Sequence, residues 1–243
     1  DDTWALGLLL KSPEFEPLLV VGDQRKPIYR AKLMAKMLET AGRTDVDVGI
    51  GLGEGEGSGP QSAWVADYDL DSYPGTVHKD GVQAIIDTIM NSDEEITLIC
   101  VGPMPNIEEA LKREPRIAER ARFVGMHGSV RRGYGGNEKI SAEYNVRADV
   151  SACRAAFNAP WDVTITPLDT CGIVHLTGDK YAKVRKSDDP VASAIVTNYR
   201  HWCESRDNTP DDMWEKRSST LFDTVAVYLA FSEERLKMEP LGI

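Results

Sequence analysis

The sequence predicts an α/β fold in which a mostly parallel central sheet has helices on both faces. Short apolar runs of strand length alternate along the chain with longer segments of helical periodicity, which is typical of such folds. Almost every predicted strand ends in glycine or a polar residue. Because ligands of these sheets bind beyond the carboxyl ends of the strands, the polar loops predict one binding crevice. We expect residues 1–243 to form a single domain, since this length supports one large core.

The individual elements follow from local patterns. Apolar runs predict strands at residues 18–21, 46–50, 96–101, 122–126 and 163–166. Helical periodicity predicts helices at residues 3–11, 27–41, 82–90, 106–112, 149–157, 190–204 and 218–230. Pro27 suits the first turn of the second helix, and Gly42 suits its end.

Acidic residues stand at both ends of the chain. Asp1 and Asp2 precede the first apolar segment, where acids cap free backbone N–H groups and complement the helix dipole, so capping is the simple interpretation. Asp223 lies inside the last apolar helix. Burying a lone carboxylate there would be costly. A bound metal ion or a surface-facing side chain would each remove that cost, and the sequence leaves both open.

The stretch from residue 133 to 149 combines glycines with strong hydrogen-bonding side chains. Three glycines precede Asn137 and let the backbone approach another group closely. If residues 142–146 are extended, Glu143 and Asn145 point to the same side. A carboxylate and two carboxamides converging on one pocket suit a ligand rich in hydroxyls, such as a sugar. The alternative is a polar surface loop that caps the helix that follows it.

The composition restricts the partners. A net charge of −11 argues against nucleic acid and against anionic membranes, because no basic stripe offsets the repulsion. No apolar run has membrane-spanning length, so we expect no membrane partner. The four cysteines form neither a CxxC pair nor a zinc-ligand cluster, so we expect a reducing compartment, the cytoplasm.

The glycine-rich run at residues 51–59 is not predicted to bind phosphate. It lacks the Lys-Ser/Thr ending of a phosphate loop and carries Glu54 and Glu56 where phosphate would sit. A flexible active-site loop or a linker is the better interpretation.

Several segments together resemble the inosine/uridine-type nucleoside hydrolases. They are DDTWAL at residues 1–6, VGD at 21–23, HKDG at 78–81, LICVGPMPNI at 98–107, FVGMHG at 123–128 with GN at 136–137 and AEYNV at 142–146, and LFDTVA at 221–226. The first resembles the second half of the family's DxDPGxDDAxAL signature, and the last resembles its terminal HDAxA helix. The matches follow the family's order and span nearly the whole chain, which implies the Rossmann-like nucleoside hydrolase fold.

The resemblance also implies a site. One Ca²⁺ would be held by the carboxylates of Asp2 and Asp223 and by the backbone carbonyl of Val101, ligand types that calcium prefers. Asp1 would act in catalysis and hold a ribose hydroxyl, and the main general base would lie upstream of the given sequence. The remaining substrate-binding positions implied by the family are Asp23, His78, Met126, Asn137, Glu143 and Asn145.

The implied activity is hydrolysis of the N-glycosidic bond of a ribonucleoside to free base and ribose. The metal would lower the pKa of the attacking water, and the bond would break through an oxocarbenium-like ribosyl cation. The small-molecule nucleoside would be the partner, and the pathway would be purine or pyrimidine salvage. Family members often form dimers or tetramers, so the resemblance implies a homodimer or a homotetramer.

Three features depart from the family pattern. The sequence begins after the DxDPG half-motif and stops soon after the Asp223 helix, so we expect truncation at both termini, with the first strand and one calcium ligand upstream. Phe222 stands where the family often has the His that protonates the leaving group. Asp23 stands where the family usually has Asn.

Three functions are therefore compared. The first is a calcium-dependent nucleoside N-ribohydrolase. The second is a non-catalytic relative that binds a ribosyl or other polyol ligand. The third is a metal-stabilised α/β protein that acts through a partner surface. The ordered segments favour the first.

Overall fold

Short parallel strands form the centre of the fold. The computed structural model describes residues 1–55, 57–207 and 209–242, and Glu56 of the glycine-rich run lies outside them. Within these ranges the strands are β1 (Leu19–Val21), β2 (Asp47–Gly49), β3 (Val77–His78), β4 (Ile96–Cys100), β5 (Ala121–Met126) and β6 (Val163–Thr166). Every strand pair is parallel, as predicted. The two-residue strand β3 was not predicted, because so short a run gives no alternation.

The strands form two sheets where the sequence predicted one. β1, β2 and β3 form the first sheet in that order, and β4, β5 and β6 form the second. Val20 pairs with Val48 in the first sheet, and Leu98 pairs with Phe123 in the second. Among the described strands, β1 pairs only with β2 and β4 pairs only with β5, so each of the two is a sheet edge.

Helices connect the strands. They are α1 (Asp2–Lys11), α2 (Pro27–Thr40), α3 (Gly81–Asn91), α4 (Pro105–Arg113), α5 (Tyr144–Ala148), α6 (Val150–Asn158), α7 (Leu168–Cys171), α8 (Gly178–Arg185), α9 (Pro190–Glu204), α10 (Met213–Lys216) and α11 (Phe222–Leu229). All seven predicted helices are present, and α2 has Pro27 in its first turn as predicted. The last helix begins four residues later than predicted, because Ser218–Leu221 are not helical and Ser218 and Leu221 donate backbone hydrogen bonds to Leu176 and Val174.

Both faces of the second sheet are covered. Leu98 and Phe123 pack into a core cluster with side chains of α3, α4 and α6. Val124, one residue along β5, packs with Leu229 of α11 instead. The alternation follows from the two-residue side-chain period of a strand. The prediction of helices on both faces is therefore confirmed for this sheet.

The first sheet shares a core with the second. Leu19 and Val21 of β1 pack against the same cluster as Leu98. Val20, between them, faces a different cluster that contains Leu38 of α2. β1 therefore has α2 on one face and the shared cluster on the other.

The first and last helices lie against each other. α1 packs on α11 and on α9. Gly7 of α1 sits so close to Ile195 of α9 that a Cβ would lie 3.1 Å from Ile195 Cγ1. The glycine thus lets two helices approach closely. Within the described ranges, no helix combines the length and apolar character that a bilayer crossing requires.

Candidate functional site

Carboxylates from the two ends of the chain meet at the contact between α1 and α11. Asp1 precedes α1, Asp2 lies in its first turn, and Asp223 lies in the first turn of α11. Carboxylate oxygens of these three residues lie within 4.8 Å of one another. The packing of the two helices therefore converts residues remote in sequence into one acidic cluster, which we call the acid cluster.

Neither surface exposure of Asp223 nor helix capping by the Asp1 side chain explains the acid cluster. Asp223 is only 4% exposed, so a surface-facing position is excluded. The Asp1 side chain makes no capping hydrogen bond to α1 in the described structure, so capping does not account for it. The pKa of Asp223 is raised well above its ordinary value, mainly by burial and then by the neighbouring charges of Asp2 and Glu143. A cation between these carboxylates would oppose the rise in pKa, because it stabilises the ionised form of Asp223.

The loop after β4 packs with the start of α11 and carries the backbone carbonyl of Val101. Val101 packs in an apolar cluster with Phe222 and Val225, which flank Asp223 along the chain. The carbonyl oxygen of Val101 accepts a hydrogen bond from Asn145 Nδ2 at 3.3 Å. A carbonyl oxygen has two lone pairs, so this bond leaves one for another partner.

Asn145 ties two strand ends together. Its Nδ2 also donates to the carbonyl oxygen of Met126 at 3.0 Å, and it contacts the Met126 sulfur at 3.6 Å. Val101 follows β4 and Met126 ends β5, so one buried carboxamide holds the carboxyl ends of two adjacent strands. The structure thus brings Val101, Met126 and Asn145 together, as a shared site requires.

The condition that residues 142–146 are extended is not met. Tyr144–Ala148 form the short helix α5, and Glu143 is its N-cap. Glu143 Oε1 accepts from the backbone N–H of Asn145 at 2.7 Å, and Oε2 accepts from those of Val146 and Gly128 at 3.1 Å. A carboxylate that satisfies the free N–H groups of a first turn favours helix over strand here. Glu143 is 3% exposed, and its described contacts are to backbone.

Asp23 has buried carboxylate oxygens and lies outside the acid cluster. It follows β1, and neither of its carboxylate oxygens makes a hydrogen bond of normal geometry to a described residue. Burial raises the pKa of Asp23 to about 7, Arg30 opposes the rise, and Asp149 and Asp2 add to it. Gln24 and Arg25, the next two residues, have positive φ angles of 49° and 61°. Non-glycine residues adopt this strained conformation mainly where the surroundings impose it.

The remaining predicted positions make contacts of their own. His78 Nε2 lies 2.8 Å from Asp47 Oδ2, in a pair that is about one third exposed. Asn137 is exposed, and its Oδ1 accepts from the backbone N–H of Lys139 at 2.9 Å. The described contacts join neither residue to the acid cluster, so their substrate-binding roles stay predictions.

The loop that carries Asn137 is held by Asp169. Its Oδ2 accepts from the N–H of Val130 at 2.8 Å, and its Oδ1 accepts from those of Arg131 at 2.7 Å and Arg132 at 3.2 Å. Within the loop Gly135 and Gly136 have φ of 65° and 80°, a conformation that favours glycine. The predicted need for permissive backbone in this stretch is confirmed.

A cavity of about 160 Å³ opens beside the acid cluster. Asp1 forms part of its wall, together with aromatic, hydroxyl and cationic side chains that include Trp4, Tyr199, Trp202, Arg217, Thr220 and Phe222. The wall thus combines flat apolar surfaces, on which a ring can stack, with polar groups.

The model of one protein family, described as the inosine-uridine preferring nucleoside hydrolases, matches residues 1–242. The chain belongs to this family.

Relatives and solved structures agree with membership of the nucleoside hydrolase family. A segment of 110 residues, 45% of the chain, is 36% identical to the putative pyrimidine-specific ribonucleoside hydrolase RihB of Shigella boydii serotype 4 and covers 44% of that protein. The same level of identity to RihB of Escherichia coli O1:K1 covers 34% of that relative. The matched segment therefore spans less than half the length of these curated relatives.

The fold recurs in solved nucleoside hydrolases at low identity. The purine-preferring ribonucleoside hydrolase of Gardnerella vaginalis superposes with a TM-score of 0.71 at 22% identity, over 99% of this chain and 79% of that one. An inosine-guanosine nucleoside hydrolase superposes with a TM-score of 0.72 at 17% identity, over 96% and 76%. These likenesses confirm the predicted α/β fold class.

Sequence reasoning missed part of this candidate site. Trp4 and Thr220 line the cavity beside Asp1, yet neither was singled out. The sequence could have indicated both residues, because Trp4 is two positions from Asp2 and Thr220 is three positions from Asp223. The sequence could not indicate Tyr199, because only the packing of α9 on α1 brings this residue to the cavity wall.

Proposed function

We propose that this chain hydrolyses the N-glycosidic bond of a ribonucleoside to free base and ribose, with water activated by Ca²⁺. The single observation that carries the proposal is the meeting of Asp1, Asp2 and Asp223 within 4.8 Å of one another, beside a cavity whose wall includes Asp1. Family membership supports the reaction class.

The chemistry of the donors supports a hard divalent cation. The acid cluster and the Val101 carbonyl offer only oxygen atoms, which suit Ca²⁺ or Mg²⁺ rather than zinc. Asp223 is buried beside two further carboxylates, and a positive charge at this position would favour its ionised form. We assign Asp2, Val101 and Asp223 as the residues that hold Ca²⁺. Bound there, the ion would lower the pKa of a coordinated water.

The other residues act on the nucleoside. Asp1 stands half-buried at the cavity wall, where its carboxylate accepts a hydrogen bond from a ribose hydroxyl and takes part in catalysis. Asn145, held between Val101 and Met126, keeps the strand ends at fixed spacing. The anionic surroundings stabilise the positive charge that develops on the ribosyl carbon. Asp23, His78, Met126, Asn137 and Glu143 complete the proposed pocket.

The test is release of free ribose. The full chain is incubated with uridine, cytidine, inosine and adenosine, because the relatives include both pyrimidine-specific and purine-preferring hydrolases by name. Reducing sugar should appear with Ca²⁺, vanish with a chelator and return when Ca²⁺ is restored. The variant Asp223→Asn is the matched negative control. A chain that releases no ribose from any of the four nucleosides contradicts the proposal.

Binding without turnover is the second candidate. Phe222 and Asp23 depart from the family pattern at the leaving-group and ribose positions, and both depart toward weaker catalysis. Calorimetry separates the two functions. A non-catalytic relative shows saturable binding heat with ribose or a nucleoside, but it releases no reducing sugar.

Four further properties belong to the proposal. We propose that residues 1–243 form one domain, that the protein assembles as a homodimer or homotetramer, that it acts in the cytoplasm, and that it serves nucleoside salvage. Sedimentation of the purified chain tests the assembly.

A further inference from the structure

Breaking a nucleoside's glycosidic bond leaves an electron pair on a nitrogen of the base, and a proton must reach the departing base. This inference rests on the proposed function. The residue before Asp223 is Phe222, whose ring packs edge-on against Tyr134 with centroids 5.9 Å apart. A phenyl ring has no proton to give, so the donor must be another group on the cavity wall.

We propose that Thr220 delivers this proton and that His175 supplies it to Thr220. Thr220 lines the cavity together with Asp1 and Phe222. Its Oγ1 lies 2.9 Å from His175 Nε2. The hydroxyl therefore stands between the cavity and an imidazole.

The contact made by the other nitrogen of the His175 ring, Nδ1, indicates which of the two nitrogens carries hydrogen. His175 Nδ1 lies 3.1 Å from the carbonyl oxygen of Ile173. A carbonyl oxygen only accepts, so Nδ1 carries hydrogen. Nε2 then accepts from the Thr220 hydroxyl in the neutral ring and donates to the same oxygen in the imidazolium. One contact thus serves both protonation states without rearrangement.

Three other polar groups on the described wall do not meet the requirement. The guanidinium of Arg217 stays protonated in proteins. Burial raises the pKa of Tyr199, which makes its phenol a poorer acid. The Ser219 hydroxyl is buried without a hydrogen-bond partner in the described structure, so nothing there resupplies its proton. Thr220 is the described lining hydroxyl that is bonded to an imidazole.

Backbone pairing fixes the two side chains opposite each other. The N–H of Ser218 donates to the carbonyl of Leu176 at 3.0 Å, and the N–H of Leu221 donates to that of Val174 at 2.9 Å. The Ser218 hydroxyl also accepts from the N–H of Leu176 at 2.8 Å. These bonds enclose Thr220 on one segment and His175 on the other. His175 is half-buried, so its ring can exchange protons with solvent.

The proton step balances. As the bond between the ribosyl carbon and the base nitrogen breaks, its electron pair stays with the base. The base takes the proton of the Thr220 hydroxyl, and Oγ1 takes the proton of His175 Nε2. The ring is left neutral and regains a proton from solvent, while the water that adds to the ribosyl carbon loses one to a carboxylate.

The test compares leaving groups. Uridine and inosine need a proton on the base, whereas p-nitrophenyl β-D-ribofuranoside releases a stable phenolate and needs none. For Thr220→Val and His175→Gln we expect kcat/KM on the nucleosides to fall by about 100-fold or more, the usual size of acid catalysis, with little change on the nitrophenyl riboside. Thr220→Ser keeps the hydroxyl and should keep most nucleoside activity.

The controls separate this idea from a structural role and from the proposed function. Ser218→Ala weakens the same backbone pairing but removes no relay group, so it should leave the ratio of the two substrates unchanged. Equal losses on both substrates in His175→Gln, or no loss on either, overturn the relay. A parent chain inactive on both substrates overturns the proposed function and the relay with it, whereas a parent active on both with unaffected variants overturns the relay alone.

A second measurement does not depend on turnover. Imidazole nitrogen shifts in ¹⁵N NMR distinguish the two neutral tautomers. We expect His175 to carry hydrogen on Nδ1, and we expect the Nε2 signal to move in Thr220→Val. Hydrogen on Nε2 in the neutral parent ring would contradict the relay.

Discussion

The carboxylate oxygens of Asp2 and Asp223 lie within 4.8 Å of one another, although one residue is in the first turn of the first helix and the other is in the first turn of the last. Two negative charges at this distance repel, and Asp223 is buried, so the contact destabilises the metal-free protein. A divalent cation reverses the sign of the interaction. The pair therefore couples the packing of α1 on α11 to metal binding.

Replacing Asp223 by Asn should act in opposite directions with and without metal. Without Ca²⁺, Asp223→Asn should match or exceed the parent in melting temperature, because a buried charge and its repulsion are removed. With Ca²⁺ at a hundred times its dissociation constant, the parent gains about 2.7 kcal/mol and the variant gains little. Thermal melts with a chelator and with Ca²⁺ measure both effects. Asp67→Asn, at an exposed acid, is the control, and equal stabilisation of parent and Asp223→Asn would contradict the proposed ligand set.

Asp23 should make the metal-free protein less stable as the pH rises. Its pKa is raised from 3.8 to about 7, so the folded state binds the proton more tightly than the unfolded chain. The free energy of unfolding therefore falls as the pH rises from 3.8 toward 7, by on the order of 4 kcal/mol at most. Asp23→Asn should remove this slope. Urea denaturation at pH 5 and pH 8 checks it, and parallel pH profiles for parent and variant would refute the assignment.

His127 should hold the loop that carries Val101. Its ring is fully buried, and Nε2 lies 3.0 Å from the carbonyl oxygen of Gly102. His127→Phe fills the same space but leaves that carbonyl unpaired, so we expect a loss of about 1–3 kcal/mol in unfolding free energy. We also expect weaker Ca²⁺ binding by calorimetry, because Val101 precedes Gly102. His127→Gln retains a donor and should lose less.

The same ring gives a pH signature of opposite sign to that of Asp23. Burial lowers the pKa of His127 from 6.5 to about 4. The unfolded chain therefore binds more protons across that range, and the parent loses stability as the pH falls through it. His127→Phe should lose less stability on acidification, which denaturation at pH 7 and pH 4.5 measures. A variant that remains as acid-sensitive as the parent would show that another group is responsible.

Asp169 should protect its loop from proteolysis. Its two carboxylate oxygens accept the N–H groups of Val130, Arg131 and Arg132. Asp169→Ala releases all three, so trypsin should cut after Arg131 and Arg132 faster than in the parent. Asp169→Asn keeps one carbonyl oxygen and should be intermediate. Mass spectrometry of timed digests locates the cuts, and unchanged cleavage in Asp169→Ala would mean that other contacts order the loop.

The sequence predicted the elements of this fold better than their assembly. Strands such as Ile96–Cys100 are short apolar runs, and their local pattern is sufficient. Helix α8 was missed because Tyr181 is its single buried side chain, so it has almost no apolar stripe. The division into two sheets depends on which strand edges meet, and no local pattern encodes that.

The site was predictable only where chemistry is encoded locally or shared with a family. The proximity of Asp2 to Asp223 was predicted only from the family resemblance, because no local sequence pattern encodes the packing of α1 on α11. The helix at Tyr144–Ala148 was not predicted, because five residues are too few to show helical periodicity. The contact between His175 and Thr220 joins two loops, which sequence spacing does not reveal.

The two sheet edges imply a pattern in deuterium uptake. The N–H of Gly22 points to Gly49 of β2, so the N–H groups of Leu19 and Val21 point away from that strand. The N–H of Ile96 likewise points to Arg120, so those of Thr97 and Ile99 point away from β5. In heavy water the peptides spanning β1 and β4 should each divide into slow and fast populations, whereas β5, flanked on both sides, should exchange slowly throughout. An extended polypeptide that paired with either edge would slow the exchange of its outward-facing N–H groups. Deuterium uptake would therefore detect strand binding at β1 or β4 without a label on the protein.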